Sequence, residues 1–442
     1  MFEAADVVHA LYRGFFERGI RYFFPDSILI TGGAAAETKP SLLICGRTDG
    51  GVNLEWMGTR YHLETAGSRP FTEDQLRLLG AIGSVHSVRY RSIFSAASST
   101  SAFAFFEGLP EDRYVSAFLD HTPYLNENEV PVLHDTVASA IEVLRESSLL
   151  TYENRRISTG VILMGRESDP FHENPSLPDG ALQYNNSLVG IKSFHRLCDG
   201  LKTVFLVDGD GMLVDLVDMQ EFSGAHAKAA LPAPSSARYM AHCMATLEGG
   251  HICLVLTPNG EIKVFAGGVQ VFNFLEGRWH LTDIVEKYRE FQRAVGDVTL
   301  AERLFTAALN LAEHRRGGLF VILDDSISAR DLVSHPDLLE NDGPLGTNKG
   351  QIHYLLRGKN VLTLDLSVLQ SIARVDGGIV LSRDGNLLAF GAILRNAGEH
   401  VTALDGGRTT AAVHASRFGP VLKISEDGSV AFYRAGVRHW EI

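Results

Sequence analysis

Two stretches of the chain share one pattern, ICLVLTPNGEIKVFAGGV at Ile252–Val269 and PVLKISEDGSVAFYRAGV at Pro420–Val437. Each reads as a strand, an Asn-Gly or Asp-Gly turn and a second strand. Small-residue segments that favour a helix precede them, RYMAHCMATLEG at Arg238–Gly249 and RTTAAVHASRFG at Arg408–Gly419. Eight of the thirty aligned positions are identical: Arg238/Arg408, Ala241/Ala411, Ala245/Ala415, Gly249/Gly419, Leu254/Leu422, Gly260/Gly428, Gly268/Gly436 and Val269/Val437. The chain therefore contains an internal repeat.

The repeat extends upstream. CDGLKTVFLVDGDGMLVDLV at Cys198–Val217 aligns with VDGGIVLSRDGNLLAFGAIL at Val375–Leu394, and we expect three additional residues in the turn of the first copy. An earlier strand is predicted at Ser158–Gly165 and at Gly317–Asp325, each after an amphipathic helix and before a short apolar one. The order helix–strand–helix–strand–strand–helix–strand–strand thus occurs twice, which predicts an α/β fold built from two tandem units.

Three helices have predicted buried faces. These faces are Leu133, Val137, Ile141 and Leu144 in the first repeat; Leu300, Leu304, Ala308 and Leu311 in the second; and Ile284, Tyr288, Phe291 and Val295 in a helix between the repeats. Thr299 and Glu302 have the spacing of a capping box, so we expect Thr299 to begin its helix.

The predicted domains are an N-terminal α/β domain at 1–124, a first repeat at 125–285 and a second repeat at 286–442. In the N-terminal domain, DSILITGG and PSLLICGRTDGG read as strands and TEDQLRLLGAIGSVHSV as a helix.

The composition excludes several classes of protein. The chain has 442 residues, 45% hydrophobic and 21% charged, as in an ordinary globular protein. No apolar run reaches the roughly 20 residues that span a membrane, and the N-terminus lacks a signal-peptide pattern. Four cysteines do not form a disulfide framework. A net charge of −13 disfavours long nucleic acids but not a small nucleotide in a local pocket. We therefore expect a cytoplasmic protein without membrane or long nucleic-acid partners.

Asp376-Gly377-Gly378 precedes a predicted strand of the second repeat, and Arg408-Thr409-Thr410-Ala411-Ala412 begins a predicted helix. In these two motifs the second repeat resembles the diadenylate cyclase domain family (DisA N-terminal-like). The family's Asp-Gly-Ala motif corresponds here to Asp376, Gly377 and Gly378, and its Arg-His-Arg-Ala-Ala motif, 32 residues later, to Arg408, Thr409, Thr410, Ala411 and Ala412. A Ser-Glu-Glu-type turn corresponds to Ser425, Glu426, Asp427 and Gly428. By way of the repeat, Asp199, Gly200 and Arg238 hold the same places in the first repeat.

The resemblance implies a mixed central sheet flanked by helices and a nucleotide site. The family condenses two ATP molecules into cyclic di-AMP with a divalent metal, Mg²⁺ or Mn²⁺. Asp376 would be the metal ligand, since carboxylate oxygens suit hard cations. Gly377 and Gly378 would let the backbone approach the nucleotide. Arg408, with Thr409 and Thr410 at a helix start, would bind its phosphates.

The chain departs from the family pattern where charge matters most. Thr409 and Thr410 replace the His and second Arg of the motif, and Tyr239 and Met240 do so in the first repeat. A triphosphate with its metal would lose most of its cationic contacts. We therefore expect no catalytic residue. The chain should be a sensor that binds a second messenger, a nucleotide or cyclic dinucleotide, in two pockets. One pocket is lined by Asp376, Gly377, Arg408 and Thr409, and the other by Asp199, Gly200 and Arg238.

Other interpretations stay open at this level. The chain could be an active cyclase in which Asp376 is catalytic, or a scaffold that forms a homo-oligomer or recruits an effector protein. Asp376 and Asp199 could be ordinary turn residues, and Arg408 a surface ion-pair residue. His242, Cys243, His251 and Cys253 have the residue types of a zinc site but not its spacing, so core positions are the better interpretation.

Overall fold

The protein forms two compact units, Met1–Ala230 with Ala241–Asp283, and Leu231–Met240 with Ile284–Ile442. The computed structural model describes residues 4–35, 40–65, 69–94, 108–119, 135–165, 181–191, 193–226, 230–339, 353–395 and 406–442. The predicted boundary between residues 124 and 125 and the predicted core residue Leu133 lie outside these ranges.

The first unit contains an N-terminal antiparallel sheet, a larger mixed sheet and flanking helices. Its helices are α1 (Ala4–Phe23), α2 (Glu73–Phe94), α3 (Pro110–Leu119), α4 (Thr136–Ser148), α5 (Phe194–Leu197), α6 (Met219–His226) and, from its second residue on, α7 (Met240–Ala245). Its strands are β1 (Ile28–Ala34), β2 (Leu43–Thr48), β3 (Gly51–Trp56), β4 (Thr59–Glu64), β5 (Thr151–Tyr152), β6 (Arg155–Arg156), β7 (Thr159–Leu163), β8 (Thr203–Val207), β9 (Leu213–Asp218), β10 (Ile252–Leu256), β11 (Ile262–Ala266), β12 (Val269–Leu275) and β13 (Arg278–Leu281).

The second unit contains one mixed sheet and its helices. The helices are α8 (Ile284–Val295), α9 (Val298–Glu313), α10 (Ala329–Leu332), α11 (His353–Leu356), α12 (Leu366–Ala373) and α13 (Gly406–Ala415). The strands are β14 (Gly318–Ile322), β15 (Gly378–Leu381), β16 (Leu387–Ala392), β17 (Val421–Ile424), β18 (Val430–Arg434) and β19 (Val437–Glu441).

The two mixed sheets share one order of six strands, and the first sheet has a seventh strand, β13, at one edge. In the first unit the order is β13-β12-β11-β10-β7-β8-β9, and in the second it is β19-β18-β17-β14-β15-β16. Within each sheet one pair is parallel, β7 with β8 and β14 with β15, and its neighbours are antiparallel. The N-terminal sheet has the order β1-β4-β3-β2. The predicted α/β class, with mixed sheets flanked by helices, is confirmed.

The two mixed sheets match in strand register, residue by residue. Val161 of β7 lies opposite Leu254 and Phe205, as Phe320 of β14 lies opposite Leu422 and Ile379. β-Bulges fall at equivalent places, between Leu206/Val207 and Val380/Leu381 and between Val264/Phe265 and Phe432/Tyr433. Bulges mark positions where the strand must bend, so the two sheets bend at matching points.

One expectation about the repeat was wrong. The turns after β8 and β15 have equal length, because Val207 pairs with Leu213 and Leu381 pairs with Leu387. The three additional residues of the first repeat lie in the loop before β8 instead. Asp199 is therefore farther from its strand than Asp376 is, and the two Asp-Gly loops are not equivalent.

The N-terminal segment and the first repeat share one hydrophobic core. Phe16 of α1, Ile82 of α2 and Val115 of α3 belong to the same buried cluster as Leu254 and Phe272 of the mixed sheet. Two polar contacts join the same parts of the chain. The Trp279 indole N–H donates to Asp112 at 2.7 Å, and the Trp279 amide donates to the Tyr22 hydroxyl oxygen at 2.8 Å.

The predicted helix faces are confirmed at every described position. The residues of α4, α8 and α9 named for these faces are buried: Val137, Ile141, Leu144, Ile284, Tyr288, Phe291, Val295, Leu300, Leu304, Ala308 and Leu311. The predicted capping box of α9 was wrong. Asp297 is the N-cap and accepts the Leu300 amide at 2.7 Å, so the helix begins before Thr299. Among the described helices none is both long and apolar enough to cross a membrane.

Candidate functional site

The order of strands and helices brings three motif residues to one edge of the second-unit sheet. Asp376 precedes β15, Arg408 lies in the first turn of α13, and Glu426 follows β17. Because β14 and β15 are parallel, their first residues lie at the same edge. Because β17 is antiparallel to β14, with Ile424 opposite Gly318, its last residues reach that edge as well.

Arg408 forms ion pairs with both carboxylates. Its guanidinium Nη1 lies 2.8 Å from Glu426 Oε1, and its Nη2 lies 3.6 Å from Asp376 Oδ1. The Asp376 side chain is fully exposed, the Glu426 side chain is 69% exposed, and the Arg408 side chain is 36% exposed. These three residues are called the Arg408 cluster below. The cluster carries one positive and two negative charges and faces solvent.

Gly317, which the sequence analysis did not single out, provides the space for Arg408. A Cβ atom at Gly317 would lie 2.5 Å from the guanidinium carbon of Arg408. Any side chain there would therefore push the arginine out of its position. The Gly317-Gly318 pair at the start of β14 was the available signal, but sequence alone does not tell which distant side chain needs the space.

Gly377 has a structural role in the loop before β15. Its φ is +108°, and a Cβ atom there would lie 2.6 Å from the carbonyl oxygen of Gly391 in β16. Glycine is thus required for the loop to pass the neighbouring strand. Gly378 is a buried residue of β15, next to Leu319 and Leu394. The close backbone approach made by Gly377 is to β16.

The two threonines lie beside Arg408 in α13. Both are partly buried, and the Thr410 hydroxyl donates to the carbonyl oxygen of Gly406 at 3.4 Å. That bond lies within the first turn of the helix. Neither threonine supplies the positive charge that the His and Arg of the family motif would carry.

In the first repeat, Asp199 caps its own loop. Its Oδ1 accepts the amides of Leu201 at 2.8 Å, Lys202 at 2.7 Å and Thr203 at 3.1 Å. Burial disfavours the charged carboxylate, but the amides of Thr203, Lys202 and Leu201 outweigh it, so the pKa of Asp199 lies below its ordinary value. This carboxylate stabilises a turn, which is the structural alternative weighed for both aspartates.

The two residues next to Asp199, Cys198 and Gly200, make buried contacts. Gly200 has φ +75°, and a Cβ atom there would lie 2.5 Å from the Thr159 carbonyl oxygen. Its own carbonyl oxygen lies 2.8 Å from Nε2 of His242. The buried Cys198 thiol donates to the Thr203 carbonyl at 2.9 Å, and burial raises its pKa. Cys198 and Gly200 thus attach the loop before β8 to buried residues, while Asp199 lies at the surface.

Arg238 belongs to a different compact unit from Asp199 and Gly200. It lies in a turn before α7, in the segment Leu231–Met240 of the second unit, while Asp199 and Gly200 belong to the first. Its guanidinium carbon is 5.8 Å from the centre of the Tyr239 ring. Arg408, by contrast, lies inside a helix.

The metal candidates divide into core residues and the Arg408 cluster. His242, Cys243, His251 and Cys253 are all buried. The described residues contain no group of three or more His, Cys, Asp or Glu side chains that could hold a metal ion. Asp376 and Glu426 lie on either side of a cation and do not form a metal cage by themselves. A divalent ion at Asp376 would need nucleotide phosphates to complete its coordination, so its role as a ligand stays a prediction.

Comparisons with known proteins give only distant structural similarities. No protein-family model and no curated protein matches the chain. One similar structure is a double mutant of DacA from Staphylococcus aureus, 15% identical over 35% of this chain and 89% of that chain, with a TM-score of 0.23. Another is a hypothetical membrane spanning protein from Bacillus cereus, 20% identical over 31% of this chain and 61% of that chain, with a TM-score of 0.23. These similarities do not assign the chain to a family.

Proposed function

We propose that the chain binds a nucleotide or cyclic dinucleotide at the Arg408 cluster, as a sensor built on a diadenylate-cyclase-like unit. The observation that carries the proposal is the meeting of Asp376 and Arg408, which are distant in sequence, at 3.6 Å on one exposed sheet edge. Gly317 leaves the space for the guanidinium, so the arginine has a defined position. An arginine held at a helix start suits a phosphate oxygen.

Binding is favoured over synthesis by the charges that the site lacks. Thr409 and Thr410 stand where the family has His and Arg, so Arg408 is the motif's remaining cation. Each charged hydrogen bond to phosphate contributes about 1.5–3 kcal/mol. Two such losses weaken binding of a triphosphate, which needs several cationic contacts, more than binding of a phosphate diester. The preferred ligand is therefore a cyclic dinucleotide or another nucleotide of low charge.

The proposal places one ligand site in each chain, in the second repeat. The register makes Ser158 the equivalent of Gly317, and the quoted alignment makes Pro258 the equivalent of Glu426. The first repeat thus lacks both neighbours of Arg408. Its Asp199 serves as a turn cap. This asymmetry supports a stoichiometry of one.

Mass spectrometry separates binding from synthesis. Purified protein is incubated with ATP and Mg²⁺ or Mn²⁺, and the small molecules are analysed in solution and after denaturation of the protein. The proposal expects unchanged ATP in solution and a nucleotide released from the wild-type protein but not from Arg408→Gln. A control variant, Arg438→Gln, removes an exposed arginine that pairs with Glu441 at 2.7 Å in the same unit. New cyclic di-AMP that requires Asp376 would show an active cyclase instead.

A further inference from the structure

Glu426 is the closest partner of Arg408 and occupies the position that a ligand phosphate would need. Its Oε1 lies 2.8 Å from Arg408 Nη1, closer than Asp376 at 3.6 Å. Both acceptors are carboxylates, and a phosphate oxygen has the same kind of charge and geometry. A ligand phosphate must compete with Glu426 for the N–H of Nη1 that Glu426 accepts.

The turn that carries Glu426 is held independently of the ion pair. Ser425 donates its amide to the Ser429 carbonyl at 2.9 Å, and Gly428 donates to the Ser425 carbonyl at 3.1 Å. Asp427 accepts the Ser429 amide at 2.8 Å. The exposed Glu426 side chain can therefore rotate away from Arg408 without any change in the hairpin.

We propose that Glu426 is a specificity-determining residue of the Arg408 cluster, displaced by the ligand and selecting against highly charged anions. The inference rests on the proposed nucleotide site. With both carboxylates present the cluster is net negative, and its repulsion grows with the charge of the ligand. This repulsion is weaker for a phosphate diester than for a triphosphate. Glu426 thus favours a cyclic dinucleotide over ATP.

The comparison between the repeats supports a role for Glu426 at Arg408, because the carboxylate occurs only in the repeat whose arginine lies in the helix. In the first repeat, where the equivalent arginine lies outside the helix, the aligned residue is Pro258. Gly317 and Glu426, which contact Arg408 from two sides, are both absent there. The carboxylate occurs in the repeat in which Arg408 has a defined position.

Calorimetric titration of the full chain with cyclic di-AMP and with ATP, at low and at high salt, tests the inference. The variants are Glu426→Gln, Arg408→Gln and, as a control, Glu286→Gln, which removes an exposed carboxylate that pairs with Arg289 at 3.5 Å in α8 of the same unit. We expect Glu426→Gln to bind cyclic di-AMP about two- to fivefold more tightly at low salt, in line with exposed ion pairs. The gain should be larger for ATP and should shrink at high salt.

The outcomes separate this inference from the proposed function. Wild-type binding that Arg408→Gln abolishes but Glu426→Gln leaves unchanged or weakens would overturn the role of Glu426 and keep the nucleotide site. An equal gain with Glu286→Gln would also overturn it, because the effect would then come from the lower net negative charge of the protein. Failure of both the wild type and Glu426→Gln to bind either ligand would overturn the proposed function together with the inference.

Discussion

Replacing Gly317 with alanine should weaken ligand binding while leaving the protein folded. The new Cβ atom would lie 2.5 Å from the Arg408 guanidinium carbon, which is the end of a flexible side chain. Gly317 does not have a positive φ, so alanine fits its backbone, and stability should change by less than about 1 kcal/mol. The displaced arginine loses its charged hydrogen bond to phosphate, worth about 1.5–3 kcal/mol. Binding should therefore weaken about 10- to 150-fold.

Two neighbouring glycines provide the controls for this prediction. Gly377→Ala places a Cβ atom 2.6 Å from the Gly391 carbonyl oxygen at φ +108°, so it should destabilise the second unit by about 1–3 kcal/mol or more. Gly407→Ala lies beside Arg408 with no atom within 4 Å of its Cβ, so it should leave the affinity unchanged and should not destabilise the unit. Urea unfolding gives the stabilities, and calorimetry with cyclic di-AMP gives the affinities. Gly317→Ala that binds like the wild type, or unfolds like Gly377→Ala, would refute the reasoning.

Two further predictions concern the stability of each unit. Asp199→Ala should lower the free energy of unfolding by about 1 kcal/mol at pH 7, because three amides lose their acceptor. Because the pKa of Asp199 is lowered in the folded protein, its carboxylate stabilises the fold above the unfolded pKa of about 3.9. This contribution is lost as pH falls through the folded pKa. The unfolding free energies of wild type and variant, measured in urea, should therefore converge in acid. Arg383→Ala should lower the free energy of unfolding in urea by about 1–3 kcal/mol. Arg383 donates to the Ala294 and Val295 carbonyls at the end of α8 and pairs with Asp324. Arg383→Lys should restore only part of this loss.

Periodic features of the fold could be predicted from the sequence. The buried face of α8, with Ile284, Tyr288, Phe291 and Val295, follows from helical spacing and is confirmed. The repeated hairpins follow from their Asn-Gly and Asp-Gly turns. The hairpin of β3 and β4 was missed, because its turn is formed by Met57 and Gly58, both at positive φ, without the usual Asn or Asp.

The loops could not be predicted in the same way, because no periodicity governs them. Asp199-Gly200 and Asp376-Gly377 look the same in the sequence, yet one carboxylate accepts three amides and the other faces solvent beside Arg408. The difference comes from three additional residues before β8, which let the chain fold back onto its own carboxylate. The role of Gly317 depends on a side chain far along the chain, so sequence spacing gives no hint of it.

In the proposed function Arg408 holds a nucleotide in the second repeat. The decisive measurement is calorimetric titration of the full chain with cyclic di-AMP, for the wild type, Arg408→Gln and Arg438→Gln. We expect saturable binding with one ligand per chain, lost in Arg408→Gln and kept in Arg438→Gln. Equal binding by all three proteins, or no saturable binding by the wild type, would show that Arg408 does not hold a nucleotide.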